Sequence, residues 1–192
     1  MRNFKSGEVF VFEVAKQELP FKADWSEKFV QYNATYDSIK AVLSKAAEKQ
    51  TVKTFVIDDS QYLMVFDSFR RAKEKGYEKY TDFAVDFEGL VRFCQTQLPS
   101  TFTVYFLQHV ETDDTGMVRA KTIGRMLDSQ LNVEGLFSTV LLTKVEKGCY
   151  TIVTKDVDGM STAKSPIGMF DSVEIPNDLQ QIDKTVRAYY GI

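Results

Sequence analysis

Apolar positions follow two periods along this chain. Residues 8–15, EVFVFEVA, are dense in Val and Phe and predict a strand covered on both faces, as in a buried α/β sheet. Residues 16–33 carry Pro20, Trp25 and several charges and read as an irregular connection. From Thr35 to Gln50 the period becomes helical, because Ile39, Val42, Leu43, Ala46 and Ala47 form one stripe. Thr54 to Ile57 is a short apolar strand running into Asp58-Asp59. Residues 61–75 read as a helix with a basic end at Arg70, Arg71, Lys73 and Lys75, stopped by Gly76. Asp82 to Leu98 is the next helix, with Phe83, Phe87, Leu90, Val91, Cys94 and Leu98 on one face and Pro99 at its end. Thr101 to Leu107 is a second buried strand, followed by Gln108 and His109.

The remaining segment is more broken. Residues 111–135 are polar and contain glycine, with a short helix expected from Arg125 to Leu131. Thr139 to Val145 and Cys149 to Lys155 predict a hairpin around Glu146-Lys147-Gly148. A loop over 156–176 precedes Asn177 and Gln180, which resemble a capping pair for a last helix burying Leu179, Ile182, Val186 and Tyr189 or Tyr190. Strands alternating with helices predict an α/β fold with a largely parallel sheet, and the C-terminal hairpin is expected to add antiparallel strands at one side. A length of 192 residues predicts a single domain over 1–192.

Composition narrows the classes. The chain is 44% apolar and 27% charged, with 24 Lys and Arg against 27 Asp and Glu, a net charge of −3. These values exclude a disordered, collagen-like or disulfide-scaffold chain and a globally basic nucleic-acid coat, and leave room for a local basic patch. No apolar run reaches the ~20 residues of a membrane span, and residues 1–7 lack an apolar signal core. No membrane partner and a cytoplasmic location are the expectations. Cys94 and Cys149 stand apart and read as free thiols in a reducing compartment. With His109 as the only histidine, a conventional zinc site is not expected. Neither G-x-S-x-G nor G-x-G-x-x-G occurs, which removes the hydrolase elbow and the dinucleotide fingerprint.

Four constellations carry candidate chemistry. Asp58 stands at the carboxyl end of a predicted parallel strand, where open α/β sheets bind ligands and where a carboxylate holds nucleotide-bound magnesium; Asp59 is placed to orient water. An acidic turn or cap after a buried strand is the plainer reading. Gln108 and His109 leave a neighbouring strand and are placed to sense a γ-phosphate, or to form a simple polar strand exit. Arg119, Lys121 and Arg125 give three cations without a carboxylate over residues 117–125, a patch for a phosphate backbone or a solvated loop. Lys164 lies in a loop from which it would reach a phosphate on a neighbouring subunit, or is a surface lysine.

Taken together and in this order, EVAKQELPF (13–21), FVIDDSQYLM (55–64), FRRAKEKGYEKYTDF (69–83), VYFLQHVETDD (104–114), KTIGRMLD (121–128), TAKSPIGMF (162–170) and EIPNDL (174–179) give the chain a family likeness. It resembles phage-encoded RecA-like P-loop ATPases of the Sak-type single-strand annealing group over nearly its whole length. The resemblance implies a RecA-like three-layer α/β/α core, ATP and Mg²⁺ as cofactors, single-stranded DNA as partner, and a homo-oligomer. It implies Asp58 as the magnesium-holding aspartate, Asp59 as its neighbour near the attacking water, and Gln108 and His109 as the sensor. It places Met117 to Phe137, with Arg119, Lys121 and Arg125, against single-stranded DNA, and Lys164 across a subunit interface as a nucleotide contact.

One departure is chemical. The 192 residues contain no G-x-x-x-x-G-K-[ST], the loop that cradles phosphates and supplies the magnesium hydroxyl. The expectation is therefore a RecA-like core lacking the P-loop strand, read as starting at an internal methionine of a longer protein and inactive as it stands. In RecA-like sheets that strand is central, so its absence would leave a gap between 101–107 and 139–145. Unpaired buried edges are costly, so the two strands are expected to close together, or another segment or a second chain to fill the gap. The alternative function is a non-catalytic module binding DNA or a partner through the same surface. A P-loop kinase is a third reading, which needs the same loop.

Overall fold

The structure is a computed structural model. It describes residues 1–22, 29–124, 128–129 and 131–192. The fold is mixed α/β and divides into two compact units, one formed by 2–109 and 121–131, the other by residue 1, 110–120 and 132–192.

The first unit is built on a four-stranded sheet. Its elements are β1 (Val9–Glu13), β2 (Val30–Tyr32), α1 (Tyr36–Lys49), β3 (Thr54–Asp58), α2 (Gln61–Arg70), α3 (Glu78–Gln97) and β4 (Thr103–Phe106). The strand order is β2-β1-β3-β4, and every neighbouring pair is parallel. Val11, Phe12, Phe55, Val56 and Ile57 are fully buried, as a strand covered on both faces requires. Strand alternation puts Phe12, Phe55 and Ile57 on one face, where they join Ile39 and Leu43 of α1, Leu63 of α2 and Leu90 of α3 in a single core. Val11, Glu13, Val56 and Asp58 occupy the opposite face.

Local sequence explains the ends of α1. Thr35 accepts from the Ser38 amide at 3.3 Å while Ser38 Oγ accepts from the Thr35 amide at 2.9 Å, a reciprocal cap. Gln50 closes the helix in the left-handed conformation (φ 50°). α3 begins at Glu78, four residues before the expected Asp82, and α2 ends at Arg70 with turns beyond it. The connection over 16–33 contains β2, a three-residue strand too short to show a period.

The second unit contains β5 (Val110–Thr112), β6 (Val118–Ala120), β7 (Leu142–Glu146), β8 (Cys149–Val153), β9 (Glu174–Pro176) and α4 (Leu179–Tyr190). β5 and β6 form an antiparallel hairpin inside the stretch expected to be loop. β7 and β8 form the expected hairpin, but β9 pairs with β8 and the three make a separate antiparallel sheet. The hairpin therefore does not extend the parallel sheet. β4 pairs with β3, and β7 with β8, so the expected closure of 101–107 against 139–145 does not occur among the described residues. α4 is capped by Asp178, which accepts from the amides of Gln180 and Gln181 at 3.0 and 3.3 Å, rather than by Asn177. Ile182 is buried as expected, whereas Tyr189 and Tyr190 are exposed. Asp183 is buried instead, and its carboxylate pairs with Arg187 Nε at 2.7 Å.

Candidate functional site

The carboxyl ends of β1, β3 and β4 converge on one cluster of polar side chains. Parallel register sets Glu13 of β1 directly beside Asp58 of β3. Both follow apolar strand residues, so each is carried to the edge of the core and partly kept from water. Glu13 is 3% exposed. Burial first, then the negative charge and hydrogen bond of Asp58, push its carboxyl up to about 7. Asp58 is also held above the usual carboxylate range, chiefly by burial, although its hydrogen bond from Glu13 works the other way. One proton shared by two carboxylates satisfies both groups.

Asp59 turns the chain. Its φ of 55° is left-handed, a conformation that Asp tolerates better than most residues. Its amide donates to Asp58 Oδ1 at 3.2 Å, and its own Oδ1 lies 3.1 Å from His109 Nε2. Ser60 locks the start of α2 to the exit of β4, since both its amide (2.8 Å) and its hydroxyl (2.9 Å) donate to the Leu107 carbonyl. Gln61, also buried, accepts from the His109 amide at 3.3 Å. The His109 ring stands edge-on to Tyr62 at 6.2 Å. Gln108 places its Nε2 in a buried position where it finds no hydrogen-bond partner. A buried amide donor without a partner is costly, and it marks a place where an acceptor fits.

The structure thus brings Asp58, Asp59, Gln108 and His109 to one end of the sheet, as the sequence suggested. It adds Glu13 and Gln61, which sequence reasoning missed. The signal for Glu13 was present as one carboxylate inside an otherwise apolar strand. The basic segment is less free than expected. Arg119 pairs with Asp113 at 3.0 Å across the β5–β6 hairpin and lies opposite Glu111 in register. Lys121 is exposed, with its amide donating to the His109 carbonyl at 2.8 Å. Arg125 lies outside the described residues. Lys164 belongs to the second unit with Arg119. Its backbone exchanges two 2.8 Å hydrogen bonds with Val140, leaving the residue exposed.

The carboxylates fit the magnesium part of a nucleotide site. They are hard oxygen donors, and Mg²⁺ typically takes one or two carboxylates and completes its shell with water and phosphate. No group of three His, Cys, Asp or Glu side chains placed to hold a metal ion occurs among the described residues. The phosphate part has no counterpart in the sequence, which contains no G-x-x-x-x-G-K-[ST]. No described helix is long and apolar enough to cross a membrane. No protein-family model, curated protein or solved structure matches this chain.

Proposed function

We propose that the chain is the acidic and sensor part of a RecA-like ATPase that acts on single-stranded DNA in phage recombination. The observation that carries this reading is the Glu13–Asp58 pair at the carboxyl ends of adjacent parallel strands, with Gln108 leaving the next strand beside them. The order β2-β1-β3-β4 is consistent with a RecA-like sheet in which a further strand would lie beyond β4, and a three-layer core belongs to the same reading. Asp58 would hold Mg²⁺ bound to ATP, and the ion would neutralise phosphate charge. Glu13, having released its own proton to solvent, would take the proton of a water molecule as that water's oxygen bonds to the γ-phosphorus and ADP leaves. Gln108 would donate its amide to a phosphate oxygen, with His109 and Asp59 fixing the strand exit.

This reading requires a phosphate-binding loop that the 192 residues do not contain. It is tested by calorimetric titration of Mg-ATP into the product of the full open reading frame. Binding that depends on Mg²⁺ and is lost in Asp58→Ala supports the ATPase. Absence of binding contradicts it.

The missing loop favours one second reading, a module that binds DNA or a protein partner without ATP. Its signature is DNA affinity unchanged by ATP and Mg²⁺. A homo-oligomer, with Lys164 reaching a neighbouring subunit, belongs to the ATPase reading and follows from resemblance alone.

A further inference from the structure

The basic end of α2 is not used by the site just described, and its surroundings are unusual. α2 starts at Gln61, immediately after Asp58-Asp59-Ser60, and ends at Arg70. At 1.5 Å per residue it spans roughly 15 Å from the carboxylates to its basic end. Tyr62, Phe66 and Phe69 fall at i, i+4 and i+7 and share one face of it. The Tyr62 and Phe66 rings lie 5.4 Å apart. Exposure rises along this stripe, from the half-buried Tyr62 to Phe66 at 38% and Phe69 at 70%. Tyr77, after the turn, is 73% exposed.

The charge here opposes that of the chain. Residues 69–80 hold five cations (Arg70, Arg71, Lys73, Lys75 and Lys79) against Glu74 and Glu78, while the whole chain carries −3. Arg71 is occupied by Glu74 and Asp82, at 2.8 and 2.6 Å, and Arg70 by Asp67 at 2.8 Å. Lys73 and Lys75 are exposed and form no ion pair among the described residues. Beside Phe66 and Arg70 a cleft of about 160 Å³ opens, floored by Val14, Ala34 and Leu63.

We propose that the aromatic stripe of α2 and the turn at 71–77 bind single-stranded nucleic acid. Bases stack on Phe66, Phe69 and Tyr77, and phosphates lie against Lys73 and Lys75. A single strand offers unpaired flat rings together with regularly spaced negative charge, the two features this surface complements. A duplex hides the ring faces, and an acidic peptide meets the lysines but leaves the exposed rings unused. The inference rests on the reading above for a single-stranded partner, and moves the contact from residues 117–125 to α2. Because α2 begins directly after Asp59-Ser60, a strand held at its far end is joined through the helix to the carboxylate cluster.

The test is fluorescence anisotropy of a labelled oligothymidine of about 30 nucleotides with the full chain, over a range of salt. Phe69→Ala and Tyr77→Ala are each expected to weaken binding roughly ten-fold, the scale of one lost base stack. Lys73→Ala with Lys75→Ala is expected to lower the salt slope by roughly one to two. These side chains are exposed, so an unchanged melting temperature confirms folding. Affinity that falls with Arg119→Ala and Lys121→Ala but not with Phe69→Ala or Tyr77→Ala overturns the inference and leaves the single-strand reading intact. No oligothymidine binding by the unaltered chain overturns that reading and the inference with it, as does binding only to phosphatidylserine vesicles.

Discussion

Glu13 and Asp58 stand side by side at the carboxyl ends of two parallel strands, and burial and neighbouring negative charge hold both carboxyls above their usual range. This pairing sets a pH dependence whose sign follows from linkage. The Glu13 carboxyl titrates at about 7 in the folded chain and near 4.5 in the unfolded chain. Between these values the unfolded chain has released a proton that the folded chain keeps, so stability falls as pH rises from about 4.5 to about 7 and changes no further above it for this group. Asp58 acts in the same direction. Urea denaturation at pH 5 and pH 8 is expected to differ by on the order of 2–3 kcal/mol in favour of pH 5. Glu13→Gln removes most of that difference. Equal stability at both pH values contradicts the raised Glu13 carboxyl.

The left-handed backbone at Asp59 gives a second expectation. Asp59→Val places a β-branched residue at φ 55° and breaks the His109 contact, with an expected cost of roughly 2 kcal/mol. Asp59→Gly also loses the contact but removes the backbone strain, and should stay within about 1 kcal/mol of the unaltered chain. Thermal unfolding compares the two. A valine variant as stable as the glycine variant refutes this account of the turn.

Core and surface phenylalanines should behave differently. Phe55→Ala empties a fully buried position between Phe12 and Phe102 and is expected to cost about 3–5 kcal/mol. Phe69→Ala should stay within about 0.5 kcal/mol, because its ring is 70% exposed. Chemical denaturation of both variants checks the contrast, and it also establishes that Phe69→Ala reports on binding rather than on folding.

The cap of α4 is separable from its packing. Asp178→Ala removes the acceptor for two amides and is expected to lower stability by about 1 kcal/mol, whereas Asn177→Ala should have little effect. A larger loss from Asn177→Ala reverses the assignment.

Where neighbours in sequence decide structure, the sequence was readable. The stripe through Ile39 and Leu43, together with Thr35 and Ser38, gives α1 with its cap, and the apolar run 54–57 gives β3 with Asp58 at its end. Where distant pairing decides, it was not. β2 is three residues long and is held by β1 from beyond a long connection, and β5 and β6 are three residues each and hold only one another, so no period marks any of them. β7 and β8 were visible as a hairpin, but the sheet they join depends on β9, which resembles loop in sequence. At the site, Asp58 and His109 were legible as polar strand exits. Glu13 was not, because only the register of β1 against β3 turns a lone carboxylate into half of a pair. Arg119 was open to two readings, a phosphate contact or a solvated loop beside Asp113, and its pairing with Asp113 depends on the β5–β6 hairpin, which no period marks.

The central claim is that the Glu13–Asp58 pair serves a bound nucleotide. It is tested most directly by ATP hydrolysis, in the presence of single-stranded DNA, by the product of the full open reading frame carrying Glu13→Gln. The account predicts that Mg-ATP still binds while hydrolysis falls by roughly 100-fold or more, as expected when a positioned proton acceptor is removed. Hydrolysis at the unaltered rate in Glu13→Gln would contradict it.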